Sequence, residues 1–198
     1  MSPTLLHPTK KEPETLINSE EQILLFESKR SSDRDFMIIS LALSTGLRNG
    51  ELTELTIECV RTFEVITSVL MLPGSIAKGG CPREIPLNAD TRSNLKAFLF
   101  WKNLNGEDCN GADYLFVSKF SHNKLSPRDI QRIISNISKI AIGRSIHPHV
   151  LRHTFATRLL AVSNLRIVQK VLGHKNIQTT QIYTHPSNDE IAEAIDLL

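Results

Sequence analysis

Apolar positions recur every three to four residues through "SEEQILLFESKR" and more densely through "DRDFMIISLALSTG", where Gly46 ends the pattern, predicting two successive helices. Ser19 and Gln22 stand in capping-box register at the start of the first. A third, short helix is expected over "NGELTELT". The period then shortens: "FEVITSVLMLP" and "REIPL" are β-prone runs separated by "GSIAKGG", which predicts a small antiparallel hairpin with Lys78 at or near its turn. From residue 90 the helical period returns in "DTRSNLKAFLFWKNL", followed by a short extended "YLFVS" and then "SPRDIQRIISNISKIA". In that last run Ser126 is the expected cap, Pro127 takes the first helical position and Asp129 faces the helix dipole. Four further segments follow: "PHVLRHTFATRLLAV", "NLRIVQKVLG" closed by Gly173, "NIQTTQIYT", and an amphipathic "SNDEIAEAIDLL". The class is mainly α with a small antiparallel β-sheet (α+β). Pro3, Pro8 and Pro13, with few apolar residues between them, mark 1–17 as an arm or linker ahead of a domain over 18–198.

Composition narrows the setting. With 198 residues, 40% of them hydrophobic, the chain has the balance of an ordinary soluble globular protein. No apolar run approaches the roughly 18 residues a membrane span needs, and the N-terminus lacks a signal-peptide layout, so a cytoplasmic protein without membrane partners is expected. Cys59, Cys81 and Cys109 are odd in number and lie 22 and 28 residues apart, which suits neither a disulfide framework nor a zinc knuckle, so reduced core or loop cysteines are expected. The net charge of +2 hides an uneven distribution: residues 1–118 carry −4, residues 119–175 carry +10, and residues 176–198 carry −4. So basic a stretch, containing Asp129 as its one acid, fits a polyanion-binding surface.

Candidate chemistry clusters in five short strings. In "HPHVLRHTFATRLL", His149 lies three residues from Arg152 and four from His153, which puts all three on one side of a helix. A zinc site would use the two histidines, but "HVLRH" has no zincin glutamate and no nearby cysteine or carboxylate ligand, so no metal is expected. In "STGLRNGEL", Arg48 and Glu51 are one turn apart, so a carboxylate can fix a guanidinium for bidentate contact with a phosphate. "AKGG" sets Lys78 on a glycine-flanked turn. "VLGHKN" places His174 just after a helix-closing glycine, and "TTQIYTH" offers Tyr183 nine residues later. Taken singly, each has a plainer explanation: a surface ion pair, a solubilising lysine, a capping or core histidine.

Together and in this order, Arg48, Lys78, His149 with Arg152, His174 and Tyr183 resemble the catalytic set of the tyrosine recombinases, the phage integrase family. "TGLRNGEL", "HPHVLRHTFAT" and "LGHKNIQTTQIYTH" are similar to its motifs nearly position for position. The resemblance covers residues 18–198, although the lead-in to Lys78 is longer than the family's usual hairpin. It implies the tyrosine recombinase catalytic-domain fold and site-specific DNA cleavage and rejoining through a covalent 3′-phosphotyrosyl intermediate. Arg48, Arg152 and His174 would then stabilise the charge that develops on the phosphate, Tyr183 would attack, and His149 would take its proton. Lys78 would protonate the leaving 5′-oxygen, and Glu51 would orient Arg48. No metal, ATP or other cofactor is implied. Lys124, Arg128, Arg132, Lys139, Arg144 and Lys170 become candidates for contacts to the DNA backbone. His153 is expected to be structural.

The partners implied are double-stranded DNA and other protomers, with a tetramer in the synapse and a monomer or weak dimer free of DNA. The acidic helix over 187–198 is expected to dock in trans on a neighbouring protomer. Family members usually carry an N-terminal helical clamp, which the 1–17 arm does not supply, so the chain is expected to be a fragment of a longer integrase or a short stand-alone recombinase. Two other readings use the same surface: a non-catalytic DNA-binding relic, and a type IB topoisomerase that relaxes supercoils. The intact Tyr183 and both arginines argue against the first, and the "HxxR" and "LGH" forms argue against the second.

Overall fold

The computed structural model describes residues 13–77, 80–119 and 121–173. These residues form α1 (Asn18–Ser31), α2 (Asp33–Thr45), α3 (Asn49–Glu54), a 3-10 turn (Ile57–Cys59), β1 (Arg61–Thr62), β2 (Val65–Ile66), β3 (Val69–Leu72) and β4 (Arg83–Pro86). Four more helices follow: α4 (Ala89–Leu104), α5 (Pro127–Ile142), α6 (Pro148–Ala161) and α7 (Leu165–Leu172). The mainly α reading with small antiparallel sheets holds. Among the described residues no helix is long and apolar enough to cross a membrane.

α2 is the centre of the packing. Met37, Ile38, Ile39, Leu41, Ala42 and Leu43 are all buried, so apolar side chains leave it in every direction, as expected of a helix enclosed by others. It lies against α1, α4, α5 and α6. Ser32 caps its start, accepting from the Asp35 N–H at 3.1 Å, and Gly46 ends it in the left-handed region with φ of 62°. The expected cap of α5 is present: Ser126 Oγ accepts from the Asp129 N–H, and the Asp129 carboxylate accepts from the Ser126 N–H at 3.0 Å.

α1 departs from the expected capping. Its first helical residue is Asn18, Ser19 lies inside the first turn, and it is Glu20 whose carboxylate accepts from the Ile17 N–H at 3.1 Å. The cause is tertiary. Leu16 is buried in the core, and its N–H donates to Thr154 Oγ1 of α6 at 2.9 Å, which fixes the chain just upstream of the helix. Packing therefore begins before residue 18, inside the segment expected to be an arm; residues 1–12 of that segment lie outside the described ones.

The β region also differs. The run expected as one strand from Phe63 is interrupted, because Phe63 and Glu64 form the two-residue turn between β1 and β2, with φ of 47° and 63°. Two left-handed turn residues match the twist of the flanking strands, which is why the turn forms there although neither residue is glycine. β3 then pairs with β4, Leu70 opposite Ile85 and Leu72 opposite Arg83. Lys78 lies between them in sequence, outside the described residues. The expected extended "YLFVS" is held by isolated bridges, Thr56 with Tyr114 and Val117 with Lys124.

Candidate active site

Three helix ends meet at one point: the C-terminus of α2, the N-terminus of α3 and the C-terminus of α7. Gly46 makes the meeting possible. A Cβ on it would stand 2.3 Å from Phe155 Cδ1 of α6 and 2.9 Å from Leu172 Cδ2 of α7, so the α2 terminus lies directly on both helices. Arg48, two residues on, is the N-cap residue of α3. Glu51, in the first turn, accepts the Arg48 N–H at 2.8 Å and the Arg48 Nη1 at 2.9 Å. The one-turn spacing thus produces the expected pairing.

Arg152 reaches the same point from α6. Only 5% exposed, it donates from Nη1 to the Gly46 carbonyl and from Nη2 to the Leu172 carbonyl at 2.9 Å. Arg48 Nη2 lies 3.5 Å from the next carbonyl, that of Gly173. Two guanidinia from distant parts of the chain therefore face consecutive carbonyls at the end of α7, where a cation complements the helix dipole. Gly173 closes α7 with φ of 63°, and His174 is the next residue in the chain.

A third guanidinium, not anticipated from the sequence, completes the arrangement. Arg83 of β4 donates to both oxygens of Glu51, at 3.0 and 2.7 Å. Burial alone would raise the Glu51 carboxyl; the Arg83 hydrogen bonds, the Arg48 N–H and the two positive charges outweigh it and bring the group down to about 2. A signal for Arg83 exists in the sequence. In "REIPL" it alternates in phase with Ile85 and Leu87, both buried, and so belongs to the inward face of the strand.

His149 is exposed in the first turn of α6, one turn from Arg152 and 6.4 Å, ring to ring, from His153. His153 is half-buried; burial, then the charges of His149 and Arg152, lower its pKa, which favours the neutral ring. Lys78, His174 and Tyr183 lie outside the described residues, as does the segment 187–198 expected to be a helix. Among the described residues no group of three or more His, Cys, Asp or Glu is placed to hold a metal ion.

The six basic candidates for backbone contacts are not equivalent. Arg128, Lys139 and Lys170 are exposed, and no carboxylate among the described residues pairs with them. Lys124 is bonded to Glu54 at 2.6 Å and lies over the Tyr114 ring, and Arg132 is bonded to Asp129 at 2.8 Å. Arg144 is held by Glu14 and by Glu20, the latter at 2.9 Å, and ties the turn after α5 to the start of α1.

The phage integrase family model matches residues 9–190. The chain belongs to the phage integrase family. Among its relatives, a tyrosine recombinase of Pseudothermotoga lettingae is 35% identical over 188 residues, which is 94% of this chain and 61% of the relative. Tyrosine recombinase XerA of Pyrococcus horikoshii is 36% identical over 181 residues, 90% of this chain and 59% of the relative. The crystal structure of XerA recombinase superposes with a TM-score of 0.75 at 33% identity, over 95% of this chain and 66% of that one. That of XerH site-specific recombinase bound to difH substrate, a pre-cleavage complex, gives 0.75 at 26% identity, over 96% and 56%. The chain spans about six-tenths of the length of the curated relatives it matches.

Proposed function

We propose that this chain provides the catalytic domain of a site-specific recombinase that cleaves and rejoins double-stranded DNA. The Tyr183 oxygen attacks a backbone phosphorus, the bond to the 5′-oxygen breaks, and the protein is left joined to the 3′-phosphate. Attack by a 5′-hydroxyl reverses the step, so the energy of the phosphodiester is kept and no ATP or metal is required. In this reading Arg48 and Arg152 hold the non-bridging oxygens and His174 adds a donor. His149 accepts the tyrosine proton, and Lys78 delivers one to the leaving oxygen. The protein works in the cytoplasm with further protomers assembled on the DNA.

The observation that carries the proposal is the convergence of Arg48 and Arg152 on the Leu172 and Gly173 carbonyls, immediately before His174 in the chain. A bundle stabilised only by surface ion pairs has no use for two guanidinia gathered from remote segments at one helix end. The test is incubation with nicked duplexes taken from the DNA flanking the protein's own coding sequence, followed by denaturing electrophoresis. A covalent protein–DNA band is expected for the wild type, with none for Tyr183→Phe at equal DNA binding. Binding without any adduct would instead support the non-catalytic relic. Relaxation of a plasmid that lacks the site would support a topoisomerase.

A further inference from the structure

We infer that Arg83 is a positioning residue of the site: it fixes the pose of Arg48 from two sides, through the Glu51 carboxylate and through Gly173. The inference rests on the recombinase reading for what the pose is used for, but the clamp itself is a matter of geometry.

Each oxygen of Glu51 takes one donor from Arg83 and one from Arg48. Oε1 accepts Arg83 Nη1 at 3.0 Å and Arg48 Nη1 at 2.9 Å; Oε2 accepts Arg83 Nη2 at 2.7 Å and the Arg48 N–H at 2.8 Å. With Arg83 in place both carboxylate oxygens are held in a bidentate pair that fixes the carboxylate plane, and the Arg48 guanidinium is oriented by it. Without Arg83, Glu51 would be a nearly buried anion that has lost one donor on each oxygen, and the plane of its carboxylate, which sets the pose of Arg48, would be held less tightly. The second contact is steric. A Cβ on Gly173 would come within 3.1 Å of Arg83 Nη1 and 3.3 Å of its Cδ, so the Arg83 side chain lies flat against the residue whose carbonyl faces Arg48 Nη2. Arg83 is a poor candidate for touching DNA itself. Its side chain is 8% exposed, and both terminal nitrogens are directed at Glu51. A surface ion pair would need neither the inward strand register nor the bidentate geometry.

The test compares Arg83→Lys and Arg83→Met with the wild type. Lysine keeps the charge opposite Glu51 but cannot supply two parallel donors. Single-turnover adduct formation, measured per DNA-bound molecule so that loss of fold does not count, should slow by at least about tenfold in both variants, since small displacements of a positioned group carry rate losses of this order. DNA affinity should stay within about twofold, because phosphate contacts set it. A second measurement is independent of activity: the Arg48 guanidinium ¹⁵N–¹H resonances, assigned with Arg48→Lys, should move toward those of a freely rotating side chain in Arg83→Met. Wild-type rates in a folded Arg83→Lys, or unchanged Arg48 resonances in Arg83→Met, would overturn the inference. Absence of any wild-type adduct would overturn the recombinase reading instead, and the resonances would still decide whether Arg83 holds Arg48.

Discussion

The Glu51 carboxylate pairs with both Arg48 and Arg83, and its removal makes a quantitative prediction. From the described residues the carboxylate accepts four hydrogen bonds, with its side chain 3% exposed. In Glu51→Gln one oxygen remains, while the amide nitrogen faces N–H donors, so at best two of the four bonds survive. Breaking a buried charge pair by removing one partner costs about 3–5 kcal/mol. The pH dependence gives an independent figure. Glu51 lies at about 2 in the folded protein against an ordinary value of 4.5, and this difference corresponds to about 3 kcal/mol of stability at neutral pH.

Because the folded value is depressed, that stability is fully present above about pH 4.5 and is lost as the pH falls toward 2. About 2 kcal/mol of it should be gone by roughly pH 3. The glutamine variant has no such component. Urea unfolding followed by far-ultraviolet circular dichroism should therefore show wild type and Glu51→Gln well separated at neutral pH and converging on acidification. The other carboxylates titrate in both proteins and cancel in the difference. Two stability curves that stay parallel from pH 7 to about pH 3, or a glutamine variant as stable as wild type, would refute the role assigned to the Arg48–Glu51–Arg83 cluster.

Gly46→Ala should be costly, because the new Cβ falls 2.3 Å from Phe155 at a φ of 62°; a loss of more than about 2 kcal/mol in urea unfolding is expected, and an unchanged midpoint would contradict the close approach of α2 to α6. Arg152→Lys keeps a charge but cannot bridge the Gly46 and Leu172 carbonyls, so adduct formation should fall by about 10²-fold together with a lower melting temperature; a lysine variant with the wild-type rate would show that the fork is not needed.

How much of this was legible in the sequence depends on the range of the interactions. The α5 cap was, because Ser126, Pro127 and Asp129 act within one turn; so was the Arg48–Glu51 pair, by its spacing. The start of α1 was not, because the Leu16 N–H bonds to Thr154, 138 residues away, and overrides the local capping signal at Ser19. The interruption of the first β run was hidden because Phe63 and Glu64 are residues that rarely take left-handed turn positions. Arg83 was readable in part: its phase with Ile85 and Leu87 marks it as inward, but nothing local says that the anion it meets is Glu51, 32 residues earlier. The partners of Arg152 are backbone carbonyls, which carry no sequence signature.

The charge balance of the cluster bears on why a carboxylate sits among arginines at the site proposed for a phosphate. Among the described residues Arg48, Arg83 and Arg152 set against Glu51 leave two positive charges, and the Gly46, Leu172 and Gly173 carbonyls engage donors without removing net charge. A phosphodiester brings one negative charge. In the proposed reaction, attack by tyrosinate gives a pentavalent transition state that carries two, so the positive charge of the cluster acts more strongly on the transition state than on the resting substrate, as catalysis by differential binding requires. Replacing Glu51 by a neutral group would leave three positive charges. The added charge would still act more strongly on a doubly charged transition state than on the ground state, so the cost of the replacement lies in geometry: it would release the Arg48 guanidinium from its fixed pose. On this argument the carboxylate serves orientation, and the Arg83 charge offsets the one that Glu51 takes away.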